Sequence, residues 1–373
     1  MKQRNAIYAQ SGGVTAVINA TAAGVIQTCQ KSKKIGKVYA GKNGILGVLR
    51  EDLIDTSREK KTEIEKLIYT PGGAFGSCRY KLQNFKEQER EYSRLIEIFK
   101  KYDVGYFFYN GGGDSQDTTN KIAGITSNLG SSVKCIGIPK TVDNDLPFTD
   151  NCPGFGSVAK YIATSTKEAG LDVASMCETS TKVFILEVMG RHSGWIAASS
   201  GLAKQKKEDP PHLILFPEVP FIEKKMLKKV KNSVHKFGYC VLVVSEGAKD
   251  QKGSFLADSG LKDAFGNKQL GGVAPIVASM IQTSLEFKCH WAVADYLQRS
   301  ARHIASETDL KQAYAVGKAA VQLALAGENA VMPVILRKKG RIYKWEIGKV
   351  ALSKVANLEK QMPKKYIDFI KFI

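Results

Sequence analysis

The sequence predicts an α/β protein of two Rossmann-like, three-layer domains with parallel-dominated sheets. Three observations predict it. The chain has 373 residues, more than a single hydrophobic core usually organises. Short apolar, β-rich runs recur along it with helical stretches between them. Most of those runs end in a polar or glycine-rich turn. Strands alternating with helices imply parallel sheets covered on both faces, and in such sheets ligands bind beyond the carboxyl ends of the strands. The polar turns are therefore the places to look for function.

In chain order, Ala6–Ala9 runs into Gln10-Ser-Gly-Gly13, and Tyr106–Tyr109 into Asn110-Gly-Gly-Gly-Asp114. Cys135–Ile138 precedes Pro139-Lys-Thr-Val-Asp143, and Val183–Leu186 precedes Glu187-Val-Met-Gly-Arg191. Leu213–Phe216 and Val241–Val244 close the series, the latter before Ser245-Glu-Gly-Ala248. Between strands, Gln88 to Tyr102 sets Leu95, Ile98 and Phe99 at the spacing of a buried helix face. Val334–Tyr343 reads as a hairpin turning at Lys339-Gly340, with a final helix from about Ala351. No internal repeat or long linker marks a boundary. One domain is expected over 1–154 plus about 298–345, the other over about 155–297 plus 346–373.

Composition narrows the class. A hydrophobic content of 43% excludes a disordered chain, and no apolar run approaches the roughly 20 residues of a membrane helix. The basic start, Met1-Lys-Gln-Arg4, reaches the first glycine turn before any signal-length apolar region develops. The 7 cysteines are scattered without a Cys-x-x-Cys pair, which argues against disulfides or zinc and suits a reducing compartment. A cytoplasmic protein is expected. The net charge of +19 is dispersed, and clusters such as Lys224–Lys231 read as solvated helix faces. Basic residues are not gathered on a motif with interleaved aromatics, so neither a nucleic-acid nor a membrane partner is expected.

The turns differ in what they disclose. Ser11-Gly12-Gly13, leading toward a helix, reads either as an anion-facing turn or as a plain tight βα turn. Gly72–Arg79 ends in a guanidinium able to chelate phosphate, yet by itself reads rather more readily as a surface loop with an incidental arginine. Three glycines at 111–113 cost entropy unless the backbone must lie close to something. Asp117, Thr118 and Thr119 read as caps of the helix that follows. Lys140-Thr-Val-Asp-Asn-Asp145 says most. It offers a cation for phosphate, a carboxylate for a general base and another for magnesium, although Asp143 to Asp145 would also serve as caps. Arg191 and His192 follow an apolar strand, the histidine as a turn former.

Gly137-Ile-Pro-Lys-Thr-Val-Asp-Asn-Asp145, Glu187-Val-Met-Gly-Arg-His192 and Gln298-Arg299, in that order, resemble the phosphofructokinase family over about residues 5–325. Ser11–Asn19 and Ser306–Gly317 are similar to its pyrophosphate-dependent branch. The resemblance implies reversible phosphoryl transfer to the 1-hydroxyl of fructose 6-phosphate, as in glycolysis and gluconeogenesis, in a cleft between the two domains. It implies Asp143 as base, with Lys140, Thr141 and Arg191 also catalytic. It implies Gly13, Arg79, Asp114, Ser115 and Lys140 as donor-phosphate residues, and magnesium on Asp114 and Asp145. The sugar phosphate would be held by Thr141, Asp143, Asp145, Met189, Gly190, Arg191, Glu246, Tyr296 and Arg299. Lys182 and His290 stand where relatives supply arginines to the 6-phosphate of a neighbouring subunit, which implies a homodimer or homotetramer.

Two positions bear on the donor. ATP-using relatives resemble Gly-Gly-Asp-Gly-Ser and Pro-Gly-Thr, whereas this chain has Asp114 and Lys140 in place of the glycines. A carboxylate fills and repels where a nucleotide's α-phosphate would lie, and Lys140 offers charge to a terminal phosphate. Pyrophosphate is the expected donor. Gly113, where relatives carry an acidic or amide residue, implies weaker magnesium binding. Lysine and histidine for arginine at 182 and 290 imply a weaker hold on fructose 6-phosphate. The same fold would also suit an ATP-dependent or sedoheptulose 7-phosphate kinase, or a catalytically weak regulatory subunit.

Overall fold

The computed structural model describes residues 3–262 and 268–367. The first half of the chain forms β1 (Arg4–Gln10), α1 (Ile18–Gln30), β2 (Ile35–Gly41), α2 (Ile45–Leu49), β3 (Leu53–Asp55), α3 (Lys61–Lys66) and α4 (Glu89–Lys101). It continues through β4 (Val104–Gly111), α5 (Gly113–Asn128), β5 (Lys134–Pro139) and α6 (Phe155–Met176). Then follow β6 (Val183–Val188), α7 (Trp195–Ser199), β7 (Leu213–Leu215), α8 (Glu223–Phe237) and β8 (Cys240–Ser245). The remainder is β9 (Asp258–Lys262), β10 (Lys268–Leu270), α9 (Val273–Leu285), β11 (Cys289–Val293), α10 (Asp295–Ser300), α11 (Glu307–Leu325), β12 (Val331–Arg337) and β13 (Trp345–Ala351).

Two compact units result. The first comprises Met1–Gly156 and Ala305–Glu359, the second Ser157–Ile304 and Lys360–Ile373. Both boundaries on the returning chain differ from expectation. Residues 346–359 join the first unit because β13 pairs along the whole of β12, Arg337 opposite Trp345 and Val331 opposite Ala351. Residues 298–304 stay with the second because Gln298 continues α10 and accepts the Met189 N–H.

The first unit is a seven-stranded sheet in the order β13-β12-β5-β4-β1-β2-β3. Its central strands run parallel, and only the two edge strands, β3 and β13, are antiparallel to their neighbours. Alternation along β1 explains the layering. Ala6 and Tyr8 join a core with Val25 and Ile26 of α1 and Val316 and Ala320 of α11. Ile7 and Ala9 join another with Val48 of α2, Leu95 and Ile98 of α4 and Ile122 of α5. Successive side chains point to opposite faces, so helices cover both sides, as a parallel sheet requires. The predicted 88–102 helix is α4, with Tyr92, Leu95, Ile98 and Phe99 buried.

The second unit holds the parallel sheet β11-β6-β8-β7 and the separate antiparallel pair β9–β10. Met226, Val230 and Val234 of α8 and Val277, Ala278 and Ile281 of α9 bury against it, leaving the α8 lysines outward as a solvated face.

The C-terminal hairpin forms, but its second strand starts at Trp345, and Lys338 N–H closes the connection on Lys344 O at 2.8 Å. Tyr343 lies off the ladder because its hydroxyl donates to Asp150 Oδ2 at 3.0 Å and accepts from Gln312 Nε2 at 2.9 Å. Where a helix was expected from about Ala351 there is a single 3-10 turn, Leu352–Lys354; helix appears only at 364–367, and 368–373 lie outside the described residues. Asn357 then takes a left-handed φ of 60°.

Candidate active site

Within the first unit β5, β4 and β1 are adjacent and parallel, so the turns that follow them emerge on one edge. The chain leaves β1 for β2 on one side and β4 lies on the other, so the sheet changes direction between β1 and β4, where such folds place ligands. Backbone hydrogen bonds stitch the turns together. Ser11 N–H donates to Asn110 O at 2.9 Å, Gly12 N–H to Cys78 O at 2.9 Å, and Lys140 N–H to Gly111 O at 3.2 Å. Gly13, Arg79, Asp114, Ser115, Lys140, Thr141, Asp143 and Asp145 all lie on these joined segments.

Lys140 is only 4% exposed, and its Nζ donates to Gly13 O at 2.9 Å. A side chain at Gly12, whose φ is +76°, would place its Cβ 3.1 Å from that Nζ. The left-handed φ is what favours glycine at this turn, and the lysine packs close against it. A buried ammonium is costly unless hydrogen-bonded, and the Gly13 carbonyl is among the groups that hold it at the turn.

The glycine run after β4 is resolved differently from expectation. Helix α5 begins at Gly113, so Asp117, Thr118 and Thr119 are inside it and cap nothing. Asp117 instead meets Lys121 at 2.7 Å, and Thr119 Oγ1 donates to Ser115 O at 2.7 Å. Asp114, in the first turn of α5, meets Lys81 Nζ at 2.6 Å.

Nor do Asp143 to Asp145 cap a helix, since none begins before Phe155. Asn144 folds this turn. It has φ +53°, a conformation asparagine tolerates better than most residues. Its Oδ1 accepts from Cys152 N–H at 2.9 Å and its Nδ2 donates to Asp150 O at 3.3 Å. Asp143 N–H in turn donates to Thr141 Oγ1 at 3.1 Å. The far side of the loop is held by Asp309 of α11, which accepts from Gly154 N–H and, at 3.0 Å, from Asn151 Nδ2.

A buried chain of hydrogen bonds braces the edge beneath. Asn110 Nδ2 donates to the Tyr8 hydroxyl at 3.0 Å, that hydroxyl to Gln10 Oε1 at 3.1 Å, and Gln10 Nε2 to Gly76 O at 2.7 Å. Gln116 Nε2 spans Gly111 O and Ile138 O at 2.8 and 3.0 Å. Burial raises the Tyr8 phenol pKa, against the Asn110 hydrogen bond, so Tyr8 stays a neutral donor. Sequence reasoning missed Tyr8, Gln10, Lys81, Gln116 and Asp309. Tyr8, Lys81 and Asp309 meet partners far along the chain, and Gln10 and Gln116 sit beside glycine turns as uncharged amides.

In the second unit β11, β6 and β8 are adjacent and parallel, and their following turns carry the expected sugar-phosphate residues. Gly190 N–H donates to Glu246 Oε1 at 3.3 Å, and Ser245 Oγ to Gly190 O at 2.5 Å. Gly190 has φ +128°, and a Cβ there would meet Ser193 O at 2.6 Å. The Glu246 pKa lies above the ordinary glutamate value because burial penalises its charge, partly offset by the Gly190 N–H and the Arg191 guanidinium. Arg299 stacks 3.7 Å over the Tyr296 ring. Buried Glu187 ties the arrangement together, accepting from Gly272 and Ala274 N–H at 2.9 and 2.8 Å.

Lys182 and His290 are not brought to that edge. Lys182 immediately precedes β6, and His290 pairs with Phe184 near the strand's beginning, whereas Met189–Arg191 follow its end. At about 3.3 Å per residue, β6 separates them by roughly 20 Å. The Lys182 ammonium closes the end of α6, donating to Cys177 O and to Glu178 O at 3.1 Å.

Among the described residues no group of three or more His, Cys, Asp or Glu side chains could hold a metal ion. The Asp143–Asp145 turn still fits magnesium. That ion is commonly held by one or two carboxylates plus substrate phosphates and not by an all-protein cage. No helix among the described residues is long and apolar enough to cross a membrane.

Residues 5–324 match the family model described as phosphofructokinase. The chain is 61% identical over 368 residues to the pyrophosphate–fructose 6-phosphate 1-phosphotransferase of Halomonas elongata, covering 98% of this chain and 88% of that one. It is 58% identical over 368 residues, with the same coverage, to the protein of that name from Methylococcus capsulatus. A crystal structure of pyrophosphate-dependent phosphofructokinase from Marinobacter aquaeolei matches with a TM-score of 0.89 and 61% identity, over 99% of this chain and 88% of that one.

Proposed function

The chain belongs to the phosphofructokinase family, and on that premise we propose that it transfers a phosphoryl group reversibly from pyrophosphate to the 1-hydroxyl of fructose 6-phosphate, giving fructose 1,6-bisphosphate. Relatives at this identity carry the pyrophosphate-dependent name, which favours this reading over an ATP-dependent kinase or a regulatory subunit. The observation that carries it is the buried Lys140 ammonium held on Gly13 O. It supplies fixed positive charge to a short donor at the very turn where a nucleotide would need room.

In the proposed reaction Asp143 takes the proton of the 1-hydroxyl. The oxygen forms its bond to one phosphorus of pyrophosphate as the bridging P–O bond breaks, and orthophosphate leaves. Lys140, Arg79, Ser115 and the backbone at Gly13 hold the donor and receive the charge that develops on the leaving group. Thr141 fixes the base through the Asp143 N–H. Met189, Gly190, Arg191, Glu246, Tyr296 and Arg299 hold the sugar phosphate. Magnesium, which when bound neutralises phosphate oxygens, would be held by Asp145. Asp114 is the weaker candidate because Lys81 already engages it. Lys182 and His290 serve a sugar 6-phosphate from a second copy of the chain, so the proposed active unit is a homodimer or homotetramer, and its setting is cytoplasmic glycolysis or gluconeogenesis.

The test is to supply the purified chain with magnesium and fructose 6-phosphate, plus either pyrophosphate or ATP. Bisphosphate should form with pyrophosphate. Turnover with ATP alone would overturn the donor assignment, and none with either, in folded protein, would promote the regulatory reading.

A further inference from the structure

Asp114 raises an electrostatic difficulty. A carboxylate that discourages a nucleotide phosphate would, uncompensated, also repel pyrophosphate, an anion of greater charge density. The structure supplies compensation from a residue with no expected role. Lys81 Nζ lies 2.6 Å from Asp114 Oδ1, with the two side chains 32% and 37% exposed.

The lysine is not a loose surface side chain. Its segment is fixed upstream by Cys78 O, which accepts the Gly12 N–H at 2.9 Å. Downstream, fully buried Leu82 offers its carbonyl to Lys121 Nζ at 3.2 Å. Lys121 belongs to α5, the helix whose first turn carries Asp114, and it also pairs with Asp117. The 78–82 segment is thereby held at one end to the turn after β1 and at the other to the middle of α5, with Lys81 between these two anchors.

Resting on the pyrophosphate reading above, we propose that Lys81 is a specificity-determining positioning residue of the donor site. Its ammonium holds the Asp114 carboxylate in place and cancels its charge, so that Asp114 acts on the donor as bulk and not as a repelling anion. The ion pair thus separates two effects that a carboxylate alone would couple, exclusion of the larger donor and repulsion of the smaller.

The test is a double-mutant cycle on the full chain, measuring kcat/KM for pyrophosphate at saturating fructose 6-phosphate for wild type, K81M, K81R, D114N and K81M/D114N. Without the lysine, kcat/KM should fall at least about tenfold, mainly through KM for pyrophosphate, because an unpaired carboxylate then faces the donor. KM for fructose 6-phosphate should not move, and K81R should stay within about threefold of wild type. In the D114N background the same lysine substitution should cost less than about threefold, since no charge remains to be cancelled. An equal loss in both backgrounds would show that Lys81 acts on the donor directly and would overturn the proposal, as would a K81M enzyme with unchanged kcat/KM. A wild-type chain that turns over no pyrophosphate would overturn the underlying reading and this inference with it. Thermal melts of each variant separate loss of folding from loss of donor affinity.

Discussion

Lys140→Met separates function from stability more sharply than any other single change. The substitution keeps the aliphatic stem and removes a 4%-exposed ammonium whose Nζ donates to Gly13 O at 2.9 Å. A hydrogen bond from a charged donor contributes about 1.5–3 kcal/mol, whereas returning a buried ion to water recovers several kcal/mol of desolvation cost. A thermal melt of the variant reads that balance separately from activity. Catalysis has no such offset. A positive charge about 4 Å from a developing phosphate charge is worth about 4 kcal/mol at an effective dielectric constant of 20. Allowing for partial solvent screening, kcat/KM for pyrophosphate should fall on the order of 10²–10³-fold. Fructose 6-phosphate binding, assigned to the second unit, should be nearly unchanged when measured by calorimetry. A variant that melts well below wild type yet keeps its pyrophosphate activity would show that Lys140 is a structural lysine, and the reasoning fails.

Other predictions follow from neighbouring geometry. Asp143→Ser should lower kcat at least about 10²-fold with sugar-phosphate binding retained; steady-state kinetics with a binding isotherm would check this, and near-normal turnover would remove Asp143 as the base. Tyr8→Phe breaks the Asn110–Tyr8–Gln10 chain and leaves two buried polar groups unsatisfied, costing about 1–3 kcal/mol. By loosening the Gly76 loop it should raise KM for pyrophosphate about fivefold or more, while a core control such as Ile98→Val leaves that KM alone. His212 bears on acid stability. Its pKa is lowered from 6.5 to about 4 by burial and by the nearby Lys204 charge, and its Nδ1 accepts from Val241 N–H at 3.0 Å. The unfolded chain takes up the proton first as pH falls, so stability should be lost from about pH 6.5 toward pH 4 and then level off. That loss, on the order of 2 kcal/mol, should be missing from His212→Gln in denaturant titrations across this range.

What the sequence disclosed was whatever is local in the chain. Tyr106–Tyr109 and Cys135–Ile138 are legible as strands because they are apolar and end in turns. Lys140 and Asp143 stand out as candidates because charge and glycine crowd one short segment. Leu95, Ile98 and Phe99 show a helix through spacing alone. Partnerships between distant segments were not legible. Nothing near Lys81 points to Asp114, and nothing near Asp309 points to Gly154, since only the folded sheet brings them together. Local propensity also misled at two places. Gly113 is a poor helix former, yet α5 starts there, which turned the expected caps Asp117 to Thr119 into helix interior. Ile342-Tyr343 has strand character, but the Tyr343 hydroxyl is held by Asp150 and Gln312, and the strand begins later.

We propose that Asp114 and Lys140 choose the donor. The most direct measurement is kcat/KM with pyrophosphate and with ATP for wild type and for Asp114→Gly combined with Lys140→Gly, at saturating fructose 6-phosphate and magnesium. Wild type should use pyrophosphate, and the double variant should lose it by at least about 10²-fold. Pyrophosphate efficiency retained in the double variant would contradict the account.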